Sequence, residues 1–347
     1  MNKTIIISPS GNLYGSENVL FDFLSTTGII YSVYVKKNGL LYNKIASQTE
    51  HLVKSFDSEK KLYLKLIFLL FFNKTVKSVY VNEGGHIRYI QLLARIFKKR
   101  KFFIHIRIKE DTNKTRIGKP ILNIRFICVS KYIETLMSPE YRSLQIYDPY
   151  ELNGARPDSR QKASDTFKIG IIGRVTQTKG LDDLFPILDV LKRLTTARIS
   201  FGFFGNYSDS DTWFLEFRKM LRNYCDQFDF HFWGFVENKP SIYGNLDLIV
   251  HLNQLEALGR IVFEALDNTI PILSFAEGGV GELMNSLKLN DLLIKKDLNW
   301  PRNFASLIAD FVSDKQVSEQ IMEAKRIIVE NFNVQNYCKN LETLFNQ

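Results

Sequence analysis

The chain has 347 residues, 45% of them hydrophobic and 24% charged, and a formal net charge of +9. That length exceeds one ordinary core and suits two α/β domains, and the composition excludes a disordered or fibrous chain. The charge is uneven: residues 1–160 hold 26 Lys+Arg against 13 Asp+Glu (net +13), which leaves 20 against 24 (net −4) in the remainder. A basic first half calls for an anionic partner, and Lys98-Lys99-Arg100-Lys101 near an apolar run favours an anionic membrane surface. There is no recognition module for nucleic acid, so none is expected as a partner. Three scattered cysteines, Cys128, Cys225 and Cys338, form neither a disulfide framework nor a zinc spacing, which points to a reducing cytosol.

The opening MNKTIIISPSGN has an apolar run too short for a signal-peptide core and leads straight into a glycine loop, so it reads as a first strand. The most apolar stretch, Leu62 to Phe72, is interrupted by Lys65 and falls short of the roughly 20 residues that a spanning helix needs. Short β-branched or aromatic runs at Thr4–Ser8, Ile29–Lys36, Val76–Val81, Phe102–Ile106 and Phe126–Val129 alternate with helical patterns. Such alternation predicts a parallel sheet with crossover helices. Gly15 lies in the loop after the first strand, Asn82 to His86 follow another, and His105 closes a third. Loops at that edge of a parallel sheet are where anionic ligands dock. Residues 109–120 are polar and close on Gly118-Lys119-Pro120, which reads as a mobile loop.

Between Tyr147 and Thr166 the pattern breaks at Pro149, Asn153-Gly154 and Pro157, the best linker candidate. A second alternating series begins with the strand Phe167–Ile172 and runs into Gly173-Arg174-Val175-Thr176-Gln177-Thr178-Lys179-Gly180 and then a helix through Leu194. Arg174 as a planar fork and Lys179 as a point charge are spaced to grip two phosphates. Strands follow at Ile199–Phe204 and Phe228–Trp233. Asp209 and Asp211 could suggest a metal pair, but they immediately precede the helical pattern Thr212–Tyr224 and read as capping residues. The buried strand Leu246–Asn253 leads into Glu256-Ala257-Leu258-Gly259-Arg260-Ile261-Val262-Phe263-Glu264. One carboxylate therefore precedes a helix and the second lies one turn inside it, while the amides of Leu258, Gly259 and Arg260 suit a phosphate. Three helical patterns, Trp300–Val312, Val317–Asn331 and Val334–Leu344, complete the chain.

The Glu256–Glu264 spacing, with Ile270-Pro271-Ile272, Glu277-Gly278-Gly279 and Glu282 behind it, resembles the retaining glycosyltransferases of family 4 (glycosyl transferases group 1). The resemblance spans most of residues 165–285. It implies α/β architecture with two Rossmann-like domains facing across a cleft (GT-B). Residues 1–160 would form an acceptor-binding domain and 161–330 a nucleotide-sugar donor domain, with a helix over 331–347 crossing back to the first. It also implies a hexosyltransferase that moves sugar from a nucleotide-diphospho-sugar to a glycan or lipid-linked acceptor, as in bacterial surface polysaccharide assembly. No metal and no other cofactor are expected, and the enzyme would be cytoplasmic, peripheral on the inner face of the membrane. By the same resemblance Glu256 and His105 would meet the donor sugar, Arg174 and Lys179 the diphosphate, and Glu264 the ribose. Gly15 would approach the diphosphate, and Phe235 and Val236 would pass beside the base. A catalytically silent nucleotide-sugar-binding subunit and a nucleotide-sugar 2-epimerase are the competing readings.

Overall fold

The computed structural model describes residues 4–37, 39–153, 166–237 and 239–347. The chain divides into two compact units, one of Met1–Glu151 with Asn331–Gln347 and one of Leu152–Glu330. Most of the stretch expected to be a linker, residues 154–165, lies outside the described residues.

In the first unit strands and helices alternate: β1 (Thr4–Ser8), α1 (Gly15–Thr26), β2 (Ser32–Lys36), α2 (Leu40–Gln48), β3 (Leu52–Phe56) and α3 (Glu59–Phe72). They continue as β4 (Ser78–Val81), α4 (Ile87–Ile96), β5 (Lys101–Ile106), α5 (Lys114–Ile117), β6 (Ile124–Cys128), α6 (Lys131–Leu136) and β7 (Ser143–Gln145). The second unit holds β8 (Thr166–Ile172), α7 (Leu184–Leu194), β9 (Arg198–Phe204), α8 (Thr212–Leu221), β10 (Phe228–Gly234), α9 (Lys239–Tyr243) and β11 (Leu248–His251). It closes with α10 (Arg260–Asp267), β12 (Ile272–Phe275), α11 (Gly278–Ser286), β13 (Leu293–Ile294), α12 (Trp300–Val312) and α13 (Ser318–Asn331), ahead of the final helix α14 (Val334–Asn346).

Each unit is built on one parallel sheet, ordered β3-β2-β1-β4-β5-β6-β7 in the first and β10-β9-β8-β11-β12-β13 in the second. The central strands carry no polar face: β1, β4, β11 and β12 are buried throughout. That is what helices on both sides of a parallel sheet require. The strand order reverses between β1 and β4 in one unit and between β8 and β11 in the other. Loops leaving the carboxyl ends of two such strands diverge to opposite faces and leave a crevice between them. Both units are therefore Rossmann-like, the α/β class expected.

The final helix belongs to the first unit. Tyr337, Cys338, Leu341 and Phe345 of α14 enter the core made by Val19, Phe23, Tyr31 and Val33, with Phe345 edge-on to Phe23 at 6.4 Å between ring centroids.

One local expectation is corrected. Residues 109–120, read as a mobile loop, are not loop throughout: they hold a 3-10 turn, Lys109–Thr112, followed by α5. Asp111 is buried against Gly84, where a Cβ would come within 2.2 Å of its carboxylate, and it pairs with Arg116 at 3.1 Å. Asn113 caps α5 by accepting from the Thr115 amide. Buried Ile117 and the charge pair anchor a stretch that looked merely polar.

Candidate active site

The crevice of the second unit is a pocket of about 200 Å³ lined from three directions. The loop after β8 contributes Gly173, Arg174 and Lys179, the end of β11 and its loop contribute His251, Asn253 and Glu256, and the start of α10 contributes Gly259 and Arg260.

Glycines set how closely these loops approach. Gly180 has φ +72°, and a Cβ there would stand 2.5 Å from the Leu252 carbonyl oxygen, so the loop that carries Lys179 lies directly on the loop that carries Glu256. Gly259 has φ +84° and is the residue before α10, packed where a Cβ would strike Val280 at 2.2 Å. Val262 N–H donates to the Gly259 carbonyl. The Leu258 and Gly259 amides make no hydrogen bond to the protein among the described residues. They are the orphan donors that a helix start offers to an anion.

Lys179 and Glu256 meet directly, Nζ to Oε2 at 2.8 Å, and the Asn253 side-chain amide donates to the same oxygen at 2.6 Å. Asn253 is itself fixed, its Oδ1 accepting from the Leu255 amide at 3.1 Å. Burial works against the Glu256 charge, but Lys179, His251 and the Asn253 amide outweigh it and hold the carboxyl below its usual range. Burial pushes the neighbouring His251 imidazole down to about 4, so it is neutral near pH 7, and its Nε2 has no hydrogen-bond partner among the described residues. Arg174 is exposed at the pocket's rim, and no carboxylate pairs with it among the described residues. A cation pair, a run of amides and an ionised carboxylate thus share one small pocket.

Glu264 lies farther along α10, its Oε2 accepting from the buried Tyr243 hydroxyl at 2.6 Å. Phe235, just past β10, is 72% exposed and so is not core. Gly234 beside it accepts from the Gly205 amide, and Gly205 packs where a Cβ would stand 2.1 Å from the Gly173 carbonyl oxygen. The loops after β8, β9 and β10 are stacked through these glycines, with Phe235 and Val236 at their outer end. Asp211 caps α8 by accepting from the Trp213 amide at 3.0 Å, and Asp209 pairs with Arg218 at 3.4 Å.

The two remaining candidates belong to the first unit. Gly15 opens α1, whose start is held to the end of β4: the Asn82 amide donates to the Ser16 carbonyl at 3.0 Å, and the Ser16 hydroxyl donates to Glu83. His105 is fully buried in β5. Its Nδ1 lies 3.2 Å from Arg107, which can only donate, so the ring proton sits on Nε2. Tyr80 Oη also contacts Nδ1, at 2.9 Å. Burial, then the Arg107 charge, keeps this histidine well below its ordinary pKa and therefore neutral.

Comparison with known proteins bears on the second unit first. Residues 155–327 match the family model described as glycosyl transferases group 1. Through this half the chain belongs to the glycosyl transferases group 1. No curated protein sequence matches it. Among solved structures, Anabaena HepE in complex with UDP and glucose superposes with a TM-score of 0.76 at 18% identity, covering 99% of this chain and 100% of that one. The lipopolysaccharide outer core galactosyltransferase WaaB gives 0.70 at 14%, covering 98% of each chain. Sucrose-phosphate synthase from Thermosynechococcus elongatus gives 0.69 at 15%, covering 99% and 98%. At these identities the likeness establishes the fold, which is the two-unit GT-B architecture. The chain is a glycosyltransferase by family.

Sequence reading missed His251 and Asn253. The signal was there: His251 ends the strand that delivers Glu256 and Asn253 follows two residues on, at the carboxyl edge that a parallel sheet presents to ligands.

Proposed function

We propose that the chain is a retaining, metal-independent hexosyltransferase, with a nucleotide-diphospho-sugar as donor and a glycan or lipid-linked molecule of surface polysaccharide assembly as acceptor. The observation that carries this reading is the contact of Lys179 with Glu256 beside Arg174 and the start of α10. A diphosphate placed against the Leu258 and Gly259 amides draws the Lys179 ammonium away from Glu256 and gains the Arg174 fork. Glu256, released, faces the sugar as positive charge develops at its anomeric carbon. Two cations and the helix amides stabilise the leaving diphosphate, the electrostatic work that a divalent ion performs in other enzymes. Glu264, oriented by Tyr243, takes the ribose hydroxyls, and Phe235 and Val236 flank the base. Gly15 and His105 are assigned to the donor's diphosphate and sugar from the first unit, which also supplies the acceptor site. Support comes from structural neighbours crystallised with UDP and glucose and from a lipopolysaccharide galactosyltransferase. Three free cysteines suit a reducing cytoplasm, and the proposed place is the inner face of the membrane; no described helix is long and apolar enough to cross it.

Calorimetry on single variants tests the diphosphate assignment. Arg174→Ala and Lys179→Ala each lose charge-assisted hydrogen bonds worth about 1.5–3 kcal/mol, so nucleoside-diphosphate affinity falls roughly 10- to 150-fold. Native affinity in both variants would remove the phosphates from this pocket.

A further inference from the structure

The first unit carries an apolar face that its own core does not use. Helix α3 buries one stripe, Leu62, Tyr63, Leu66 and Leu70, and turns a second outward: Leu64, Phe68, Phe71 and Phe72 are 58%, 65%, 68% and 76% exposed. The outward residues fall at i, i+4, i+7 and i+8, one continuous helical face. Monomeric proteins rarely leave large rings grouped in this way without a partner. Ile96 at the end of α4 lies across a groove of about 670 Å³ from Phe71, and the rim of that groove holds Lys74, Lys77, Lys98 and Lys99. None of these lysines pairs with a carboxylate among the described residues. Residues 60–109 contain 13 Lys+Arg and a single acidic residue, Glu83.

Arg100 separates itself from this set. Its guanidinium donates to the carbonyls of Leu70 at 3.3 Å, Asn73 at 3.4 Å and Lys74 at 3.0 Å, and to that of Val76. It closes the end of α3 and ties the Lys74–Lys77 loop to the Lys98–Lys101 turn, so the lysines are held around the rings by the fold.

We propose that this face seats the enzyme on an anionic lipid bilayer, with Phe68, Phe71 and Phe72 entering the boundary of headgroups and acyl chains and the four lysines meeting lipid phosphates. It deepens the reading of an enzyme at a membrane's inner face. Charge complementarity chooses the occupant. A second copy docked face to face would set lysines against lysines, and a nucleic acid would leave the phenyl stripe unburied. A bilayer satisfies rings and cations together, and interfacial helices bind through that pairing.

Vesicle flotation of the full chain tests this, with vesicles of phosphatidylcholine alone and of phosphatidylcholine with phosphatidylglycerol. The native chain floats with the anionic vesicles and is weakened by salt. Lys74→Gln/Lys77→Gln/Lys98→Gln/Lys99→Gln lowers partitioning roughly five-fold per lysine, several hundred-fold in all. Phe68→Ser/Phe71→Ser/Phe72→Ser abolishes flotation at every salt concentration. An unchanged circular-dichroism spectrum and urea-unfolding midpoint in both variants show that the fold is intact. Equal binding to neutral vesicles, flotation untouched by either variant, or a dimer dissociated by the serine variant without vesicle binding would overturn the proposal. Native chain that turns over donor but never floats would remove the docking face alone and leave sugar transfer standing.

Discussion

Replacing Glu256 with Gln is expected to lower kcat by about two to three orders of magnitude, the scale seen when one preorganised electrostatic group is removed from a transition state. The structure makes this sharper than a general loss of a charge. In the native pocket Lys179 and Asn253 converge on one carboxylate oxygen and keep it ionised despite burial. Glutamine has nearly the same shape but no charge for the anomeric centre. It also stops competing for the Lys179 ammonium, so nucleoside-diphosphate affinity should be no weaker than in the native chain. Glu264→Gln behaves differently. Tyr243 still orients the side chain, and a ribose contact is made equally in ground and transition states, so the donor KM rises more than kcat falls. A donor-saturation series on both variants, with product binding in parallel, separates the roles. Equal losses in the two, or full kcat in Glu256→Gln, would show that the carboxylates do not divide the work this way.

The second large effect concerns stability in the first unit. Arg107, 8% exposed at its side chain, pairs with Asp148, also buried, and donates to the Asn82 carbonyl at 3.1 Å and the Tyr337 hydroxyl at 3.2 Å. It therefore joins the ends of β4 and β5, the segment after β7, and the final helix. Burial works against the Arg107 charge, and Asp148, Tyr337 and Tyr80 overcome it, so the guanidinium stays charged at any pH the protein meets. Arg107→Ala leaves the Asp148 carboxylate buried and unpaired, which costs about 3–5 kcal/mol. Arg107→Met/Asp148→Leu removes both charges and is expected to cost less than the single change. Urea unfolding monitored on the three proteins reads the difference as shifts in midpoint. A loss under about 1 kcal/mol in Arg107→Ala would contradict the pairing as a stabilising centre.

What sequence could and could not supply follows from these same residues. Fully buried strands such as β1 and β11 are visible as apolar runs, and a loop that holds Arg174, Lys179 and two glycines announces its chemistry by composition. The edge strand β3 escaped notice because Leu52, Lys54 and Ser55 are exposed, so no alternation or apolar run marks it. The expected helix after Lys179 begins later, at Leu184, since Gly180 is left-handed between two 3-10 turns, Gln177–Lys179 before it and Leu181–Asp183 after it, and Pro186 falls within the first turn of α7. Arg107 with Asp148, and Asn253 with Glu256, depend on how loops fold back at a sheet edge. Neither pair has a spacing that sequence alone would single out, the first because its partners lie 41 residues apart and the second because Asn253 reads as the end of a strand.

Sugar transfer from a nucleotide donor is tested most directly by NMR of a panel of nucleotide-diphospho-sugars incubated with the purified chain in the presence of chelator. The expected result is cleavage of at least one donor to its nucleoside diphosphate, with the first-formed free sugar in the anomeric configuration of the donor and a rate unaffected by the chelator. Inverted sugar appearing first, turnover restored only by Mn²⁺ or Mg²⁺, an epimerised nucleotide-sugar, or no cleavage of any donor would contradict it.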